Sequence, residues 1–350
     1  MRILLDITHP AHLHFFRHAI AQLQAQGHEL RLTARDKDIL RQLAGELGIE
    51  MTFFGGTPAG VGGMAATLAY RKARLAGIAA RFRPQVMAAL GGTFIGALGW
   101  ALRIPNLVFY DTENATLSNR ITYPFTSRVC TPRAYLDDVP RQVRYAGYHE
   151  SAYLSPKVFT PDPAVREELG LRPDEPYAIL RFVGWRASHD LGMHGLDAAI
   201  KRRLVDELSR HGRVFISSEG ELPDDLAALR FPLPGARMHD ALAGAAVLVA
   251  ESSTMCSEAA VLGVPSVFLY PPVRLGYTLE QVRRWGIVHW IHPPQAEAAI
   301  DCAVTLMRDP DRQRWREIGR AIEADSVDVS RFIVDQILEV GVRGRRGVIS

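Results

Sequence analysis

Short apolar runs at 3–7, 30–33, 51–54, 86–90 and 107–110 alternate with longer stretches of helix-compatible sequence. Runs this short and this uniformly apolar suit strands buried on both faces, and strands separated by helices pair in parallel because each crossover returns the chain to the same end of the sheet. The alternation pauses over residues 145–163, which carry prolines and tyrosines, and restarts at 177–183, 214–217, 247–250, 266–270 and 287–291. A chain of 350 residues is too long for one ordinary core. The pattern therefore predicts an α/β fold: two Rossmann-like domains, 1–155 and 156–326, with parallel sheets facing a central cleft. A final segment, 327–350, opens with Phe332, Ile333, Ile337 and Leu338 at helical spacing. The spacing supports a helix and leaves its docking place open, the first domain being one candidate.

Charge narrows the partners. With 41 basic and 38 acidic residues the formal net charge is +3, so balance alone gives no reason to expect nucleic acid, and an anionic ligand must be sought in local clusters. Cys130, Cys256 and Cys302 are far apart without CxxC spacing, which suggests neither a disulfide framework nor a zinc site. Met1 and Arg2 lead directly into a strand-like run and no long apolar stretch follows, so the chain reads as cytoplasmic, at most peripheral to the inner face of a membrane.

In open parallel sheets ligands bind beyond the carboxyl ends of the strands, so the loops after these runs are where chemistry is sought. The first is "DITHPAHLHFFRH", with four histidines. Pro10 suits the first turn of a helix, which leaves Thr8 and His9 at the strand tip; there His9 can act as a general base or bind an anion. His14 and His18 share a helix face, but the glutamate of an HExxH pattern is absent and no metal is expected. His12, His14 and His18 read as ordinary helix residues.

In the second half, "VLVAESSTMCSEAAVLGVPSVFLY" runs from a buried strand into the polar turn Glu251-Ser252-Ser253-Thr254, then a helix bearing Glu258, stopped by Gly263-Val264-Pro265. Hydroxyls and free N–H groups at a helix N-terminus favour phosphate. A carboxylate one turn further in can accept hydrogen bonds from the vicinal hydroxyls of a ribose. A serine cap alone is commonplace; its coincidence with a strand tip, an acidic helix residue and the Gly-x-Pro exit reads as a nucleotide diphosphate site.

This stretch resembles the nucleotide-sugar signature of two-Rossmann glycosyltransferases of the B-type fold, including the cell-wall N-acetylglucosaminyltransferase, and of the UDP-N-acetylglucosamine 2-epimerases. More closely, "DITHPAHLHFF", "YDTENATLSNRITYP", "AGYHESAYLSP" and "ESSTMCSEAAVLGVP" resemble a prokaryotic domain-of-unknown-function family regarded as predicted glycosyltransferases. The resemblance implies the glycosyltransferase B-type fold, Glu258 on the ribose, and Ser252, Ser253 and Thr254 near the diphosphate. It implies Thr8 and His9 near the phosphates or the reacting sugar. The glycine-rich first loop of those transferases, Gly-x-Gly-Gly-His, is here Thr-His-Pro-Ala-His.

Other strand ends add candidates. Asp111 and Glu113, with Asn119 and Arg120 close by, can supply acid/base chemistry or can merely cap a helix. The segment is similar to the epimerases' "E…NR" stretch. Arg181 falls inside a strand, where an unpaired charge is costly, so it calls for an anionic partner, a carboxylate or a ligand. Arg186 and His189 follow it as donors, and Ser217, Ser218 and Glu219 close the next strand in what is either a base pocket or a solvated turn. Gly91-Gly92-Thr93 lacks dinucleotide spacing and is equally explained by close helix packing. The helical stretch carrying Arg71, Lys72, Arg74, Arg81 and Arg83 reads as a solvated basic face, or as one that touches anionic lipid beside a glycine-rich acceptor loop. The expected activity is a metal-independent, cofactor-free glycosyl transfer from a nucleotide diphosphate sugar, UDP-linked, to a sugar or lipid-linked acceptor in cell-surface polysaccharide or glycolipid synthesis. His9, Asp111 or Glu113 would be the base. The alternatives are a non-hydrolysing sugar-nucleotide 2-epimerase and a non-catalytic nucleotide-sugar-binding protein; oligomeric state stays open.

Overall fold

The computed structural model describes residues 1–55, 60–183 and 196–346. By compactness the chain divides into one unit of Met1–Tyr153 with Val327–Ser350 and a second of Leu154–Ser326. Each is an α/β unit around one parallel sheet.

The first unit's strands are β1 Arg2–Ile7, β2 Glu29–Arg35, β3 Thr52–Phe54, β4 Val86–Leu90, β5 Asn106–Phe109, β6 Arg128–Pro132 and β7 Gln142–Tyr145. They lie in the order β3-β2-β1-β4-β5-β6-β7, and Leu5 of β1 sits in register between Leu32 and Ala88. The order reverses direction at β1 and β4, the switch point that opens a crevice at the strand ends. Helix Pro10–Ala25 follows β1 because His9 caps it and Pro10 occupies its first position. Its buried face sets Phe15 and Phe16 edge-on against Phe109 of β5.

Two of these strands escape a reading for apolar runs. β6 contains Arg128 and ends in Pro132, and the edge strand β7 alternates polar and apolar residues just before the stretch read as a linker. The charge of Arg128 is met far along the chain, by Gln336 Oε1 at 2.5 Å and Glu339 Oε2 at 2.7 Å on the last helix, Val329–Arg346. That helix packs on helix Pro10–Ala25 and on β4 through Ile333, Val334 and Ile337, each of which contributes about 1.5–3 kcal/mol by leaving water.

The helix Gly60–Phe82 corrects one expectation. Lys72, Arg74 and Arg81 are exposed, but Arg71 is neither solvated nor available to lipid: it is among the largest fully buried side chains. Its Nη2 donates to Asp6 Oδ1 at 3.0 Å, its Nη1 to the Phe54 carbonyl at 2.8 Å, and Thr33 Oγ1 donates to the same Asp6 oxygen at 2.8 Å. Arg83 lies beyond the helix end at φ 51°. Of the loop before this helix, residues 56–59 fall outside the described set.

The second unit holds β8 Tyr177–Phe182, β9 Arg213–Ser218, β10 Val247–Ala250, β11 Ser266–Leu269 and β12 Val288–Ile291 in the order β12-β11-β10-β8-β9. Its switch point falls between β8 and β10. Helix Ser253–Val261 leaves β10 and ends at Gly263, whose φ of +72° favours glycine, and a Cβ there would lie 2.9 Å from the Arg316 backbone. Among the described residues no helix is long and apolar enough to cross a membrane.

Candidate functional site

At the tip of β1, His9 is exposed and its Nδ1 accepts the Ala11 N–H at 3.2 Å. A neutral imidazole carries one proton, so this cap places it on Nε2 and makes the outer edge of the ring a hydrogen-bond donor. Thr8 Oγ1 lies 3.3 Å from His12 Nδ1. The pKa of His12 is pushed down to about 3, first by loss of water and then by His9, with Asp111 opposing. His12 is therefore neutral at physiological pH.

Asp111 follows β5. Its Oδ2 lies 3.0 Å from His149 Nδ1, and its Oδ1 accepts Thr112 Oγ1 at 2.7 Å. Burial acts to raise the Asp111 pKa, but His149 and Thr112 outweigh it and hold the carboxyl below its usual range. The Asp111 side chain keeps 17% exposure against 5% for His149, which lies against the rings of Phe15 and Tyr145 at 4.7 and 6.3 Å. Asp111 thus faces outward with a histidine behind it. Glu113 is turned elsewhere: buried, it accepts the Leu136 N–H at 2.9 Å. Neither acid caps helix Thr116–Thr122, whose N-cap is Ala115, and Arg120 on that helix is exposed while Asn119 is buried and donates to the Thr112 carbonyl.

The histidine pair at 14 and 18 is spanned by a cation. Arg17 Nε donates to His18 Nε2 at 3.0 Å and its Nη1 lies 3.4 Å from His14 Nδ1. Among the described residues no group of three or more His, Cys, Asp or Glu could hold a metal ion. Gly92, at φ +59°, has Val108 so close that a Cβ would lie 2.1 Å from it, which accounts for that glycine by packing.

In the second unit the tips of β8 and β10 share a cluster. Arg181 lies between Ser217 and Ala250 in register, and its guanidinium donates to Ser217 Oγ at 2.8 Å and to Glu219 Oε1 at 2.5 Å. Glu219 is thus the anionic partner that a strand arginine requires, and Ser217 and Glu219 serve it. Ser252 caps helix Ser253–Val261, accepting the Met255 N–H at 3.4 Å, with Ser253 and Thr254 half-buried in the first turn. Glu258, one turn in, is buried, and its Oε1 lies 3.0 Å from Nε2 of the buried His239 on helix Met238–Ala243.

Glu251, fully enclosed at the end of β10, accepts the Val183 N–H at 3.0 Å on one oxygen and the Leu196 N–H at 2.7 Å on the other. It ties together the two flanks of residues 184–195. Arg186 and His189 fall within that stretch, outside the described residues.

Asp111, just beyond β5, and Glu258, one turn inside its helix, are therefore each backed by a buried histidine, and neither histidine was singled out as a candidate from the sequence. His149 follows β7, which the apolar pattern missed, so no strand tip pointed to it. His239 sits in a helix before β10 and had no positional signal at all.

Residues 1–209 match the model of a family described as "Protein of unknown function (DUF354)". An uncharacterized protein of Methanocaldococcus jannaschii is 23% identical over 303 residues, covering 82% of this chain and 87% of its own. The UDP-GlcNAc 2-epimerase of Neisseria meningitidis, solved bound to UDP-GlcNAc, superposes with a TM-score of 0.72 at 13% identity, covering 97% of this chain and all of the other. MurG of Acinetobacter baumannii superposes with a TM-score of 0.60 at 16% identity, over 97% and 100%. These likenesses identify the architecture: two Rossmann-like α/β units of the glycosyltransferase B-type fold.

Proposed function

We propose that this chain, which belongs to the DUF354 family, is a metal-independent glycosyltransferase taking a nucleotide diphosphate sugar, UDP-linked, as donor. The observation that carries the reading is Glu258. It lies one turn inside helix Ser253–Val261, next to the switch point of its sheet, with its Oε1 3.0 Å from Nε2 of the buried His239. Its neighbours Ser252, Ser253 and Thr254 bring hydroxyls and first-turn N–H groups to a diphosphate, where the helix dipole adds to the attraction. The Neisseria epimerase that shares this fold was solved with UDP-GlcNAc, which supports the choice of base.

Asp111 is the proposed base. It takes the proton of the acceptor hydroxyl while the acceptor oxygen bonds to the anomeric carbon of the donor and the bond from that carbon to the diphosphate oxygen breaks. His9, presenting Nε2–H, donates to a phosphate or sugar oxygen. Glu113, committed to the Leu136 backbone, is left out of the chemistry. The acceptor is a sugar or lipid-linked hydroxyl of cell-surface polysaccharide or glycolipid synthesis, handled in the cytoplasm or at the inner membrane face.

A thermal-shift series with UDP, GDP, ADP and dTDP sugars on wild type and Glu258→Ala tests the donor assignment, since a ligand specific to the folded state raises apparent stability. A shift with UDP sugars that vanishes in the variant supports it; no shift with any nucleotide refutes it. A second reading, 2-epimerisation, is favoured by the proton acceptor Asp111 and the proton donor His9 flanking one strand-tip region. Incubation with UDP-GlcNAc in deuterated water separates the two, because only an epimerase incorporates deuterium without an acceptor.

A further inference from the structure

At the opposite end of the first unit's sheet, where β1, β2 and β3 begin, lies a cavity of about 620 Å³ lined by Arg2, Arg31, Arg74 and Arg81, with Phe82 and Ile78 as apolar wall. Arg74 and Arg81, seven residues apart, stand on one face of helix Gly60–Phe82. Glu29 is the carboxylate among the lining residues, and among the described residues it pairs with none of the four guanidiniums. Among the described residues, the hydrogen bond made by these four side chains is Arg2 Nε donating to the Arg83 carbonyl at 2.9 Å, while Arg31 lies over the Phe82 ring at 5.5 Å and Arg74 over the Phe54 ring at 6.0 Å. Arg81 can be explained by the negative end of its helix, in whose last turn it falls. Arg31 and Arg74 make ring contacts but, among the described residues, no ion pair. Like charges gathered around one concavity repel unless an anion enters, and the low-dielectric walls focus their field on the space between them.

We propose that this cavity binds a phosphate-bearing ligand, its oxygens gripped by guanidinium forks, whose planar donors match phosphate in pairs. The volume is that of an ordinary small-molecule pocket. Six residues of β1 separate it from the Thr8 tip, a span of about 20 Å. Its occupant is therefore an effector or a tether and not the group that reacts, and the inference does not depend on the nucleotide-sugar reading.

Arginine modification by phenylglyoxal, followed residue by residue by peptide mass spectrometry, tests it with inorganic pyrophosphate, with vesicles of phosphatidylglycerol in phosphatidylcholine, and with phosphatidylcholine alone. Modification of Arg31, Arg74 and Arg81 is expected to slow roughly tenfold at ten times the dissociation constant, while the exposed Arg172 and Arg331 are unaffected. Protection by pyrophosphate alone identifies a soluble ligand; protection by anionic vesicles identifies a lipid headgroup. No protection by either, or equal protection of Arg172 and Arg331, overturns the proposal. In Arg74→Gln/Arg81→Gln, both changes on exposed side chains, Arg31 must lose its protection, and persistence of it also overturns the proposal.

Discussion

Nδ1 of His149 lies 3.0 Å from Oδ2 of Asp111, with the histidine sealed behind the more exposed acid. The ring fixes the carboxylate and helps keep it ionised. Asp111→Asn keeps the shape and removes the basic oxygen, so kcat is expected to fall by about 10²–10⁴ while UDP affinity is unchanged. His149→Gln is expected to lower kcat less, again without touching affinity. Steady-state kinetics alongside calorimetric UDP binding separate the two, and a parallel loss of affinity in Asp111→Asn contradicts the assignment.

Glu258 and His239 form the corresponding pair in the second unit. If the acid holds ribose hydroxyls, its orientation matters only to ligands that have them. His239→Gln is expected to weaken UDP binding and leave a 2′,3′-dideoxy analogue nearly as it was. Calorimetry with both ligands on both proteins decides; equal losses point to general damage at the site.

The ion pair of Asp6 and Arg71 is buried on both sides, at 2% and 1% exposure. Removing one partner strands a charge in the core, so Asp6→Ala is expected to cost about 3–5 kcal/mol. An apolar pair, Asp6→Leu with Arg71→Met, should recover much of that. Urea unfolding of the single and double variants measures the difference.

Glu251 accepts two backbone N–H groups, from Val183 and Leu196. Glu251→Gln sets an amide NH₂ against one of these donors, leaving a buried N–H without an acceptor. The expected loss is about 1–3 kcal/mol by chemical denaturation.

How much of this could be read from the chain follows from the range of each interaction. Ten strands announced themselves as local apolar runs, because apolar side chains dominate the strands of parallel sheets covered by helices. β6 and β7 did not, since Arg128 is neutralised by Glu339 from the far end of the chain and the edge strand β7 alternates. Ser252 and Glu258 share a local motif, as Thr8 and His9 do, and so drew attention as sets. The partners that hold Asp111, Glu258 and Arg71 come from other elements, and no spacing rule connects Asp6 with Arg71 or His239 with Glu258. Composition even misled at Arg71, where a helix rich in basic residues looked solvated throughout.

Acid sensitivity should trace to His12. Its pKa falls from an ordinary value near 6.5 to about 3 in the folded protein, and that of His18 to about 4. Between those limits the unfolded chain binds protons that the folded chain refuses, so stability is full above about pH 6.5 and declines as pH falls towards the folded values. The upper bound on the slope is about 1.4 kcal/mol per pH unit for each fully shifted histidine. Between pH 5 and 7 ordinary carboxylates are already ionised, which isolates the histidine contribution. The melting temperature of wild type is therefore expected to fall on going from pH 7 to pH 5, and the decline should be shallower in His12→Gln. Parallel curves for the two proteins over that interval would show that His12 is not the group that titrates.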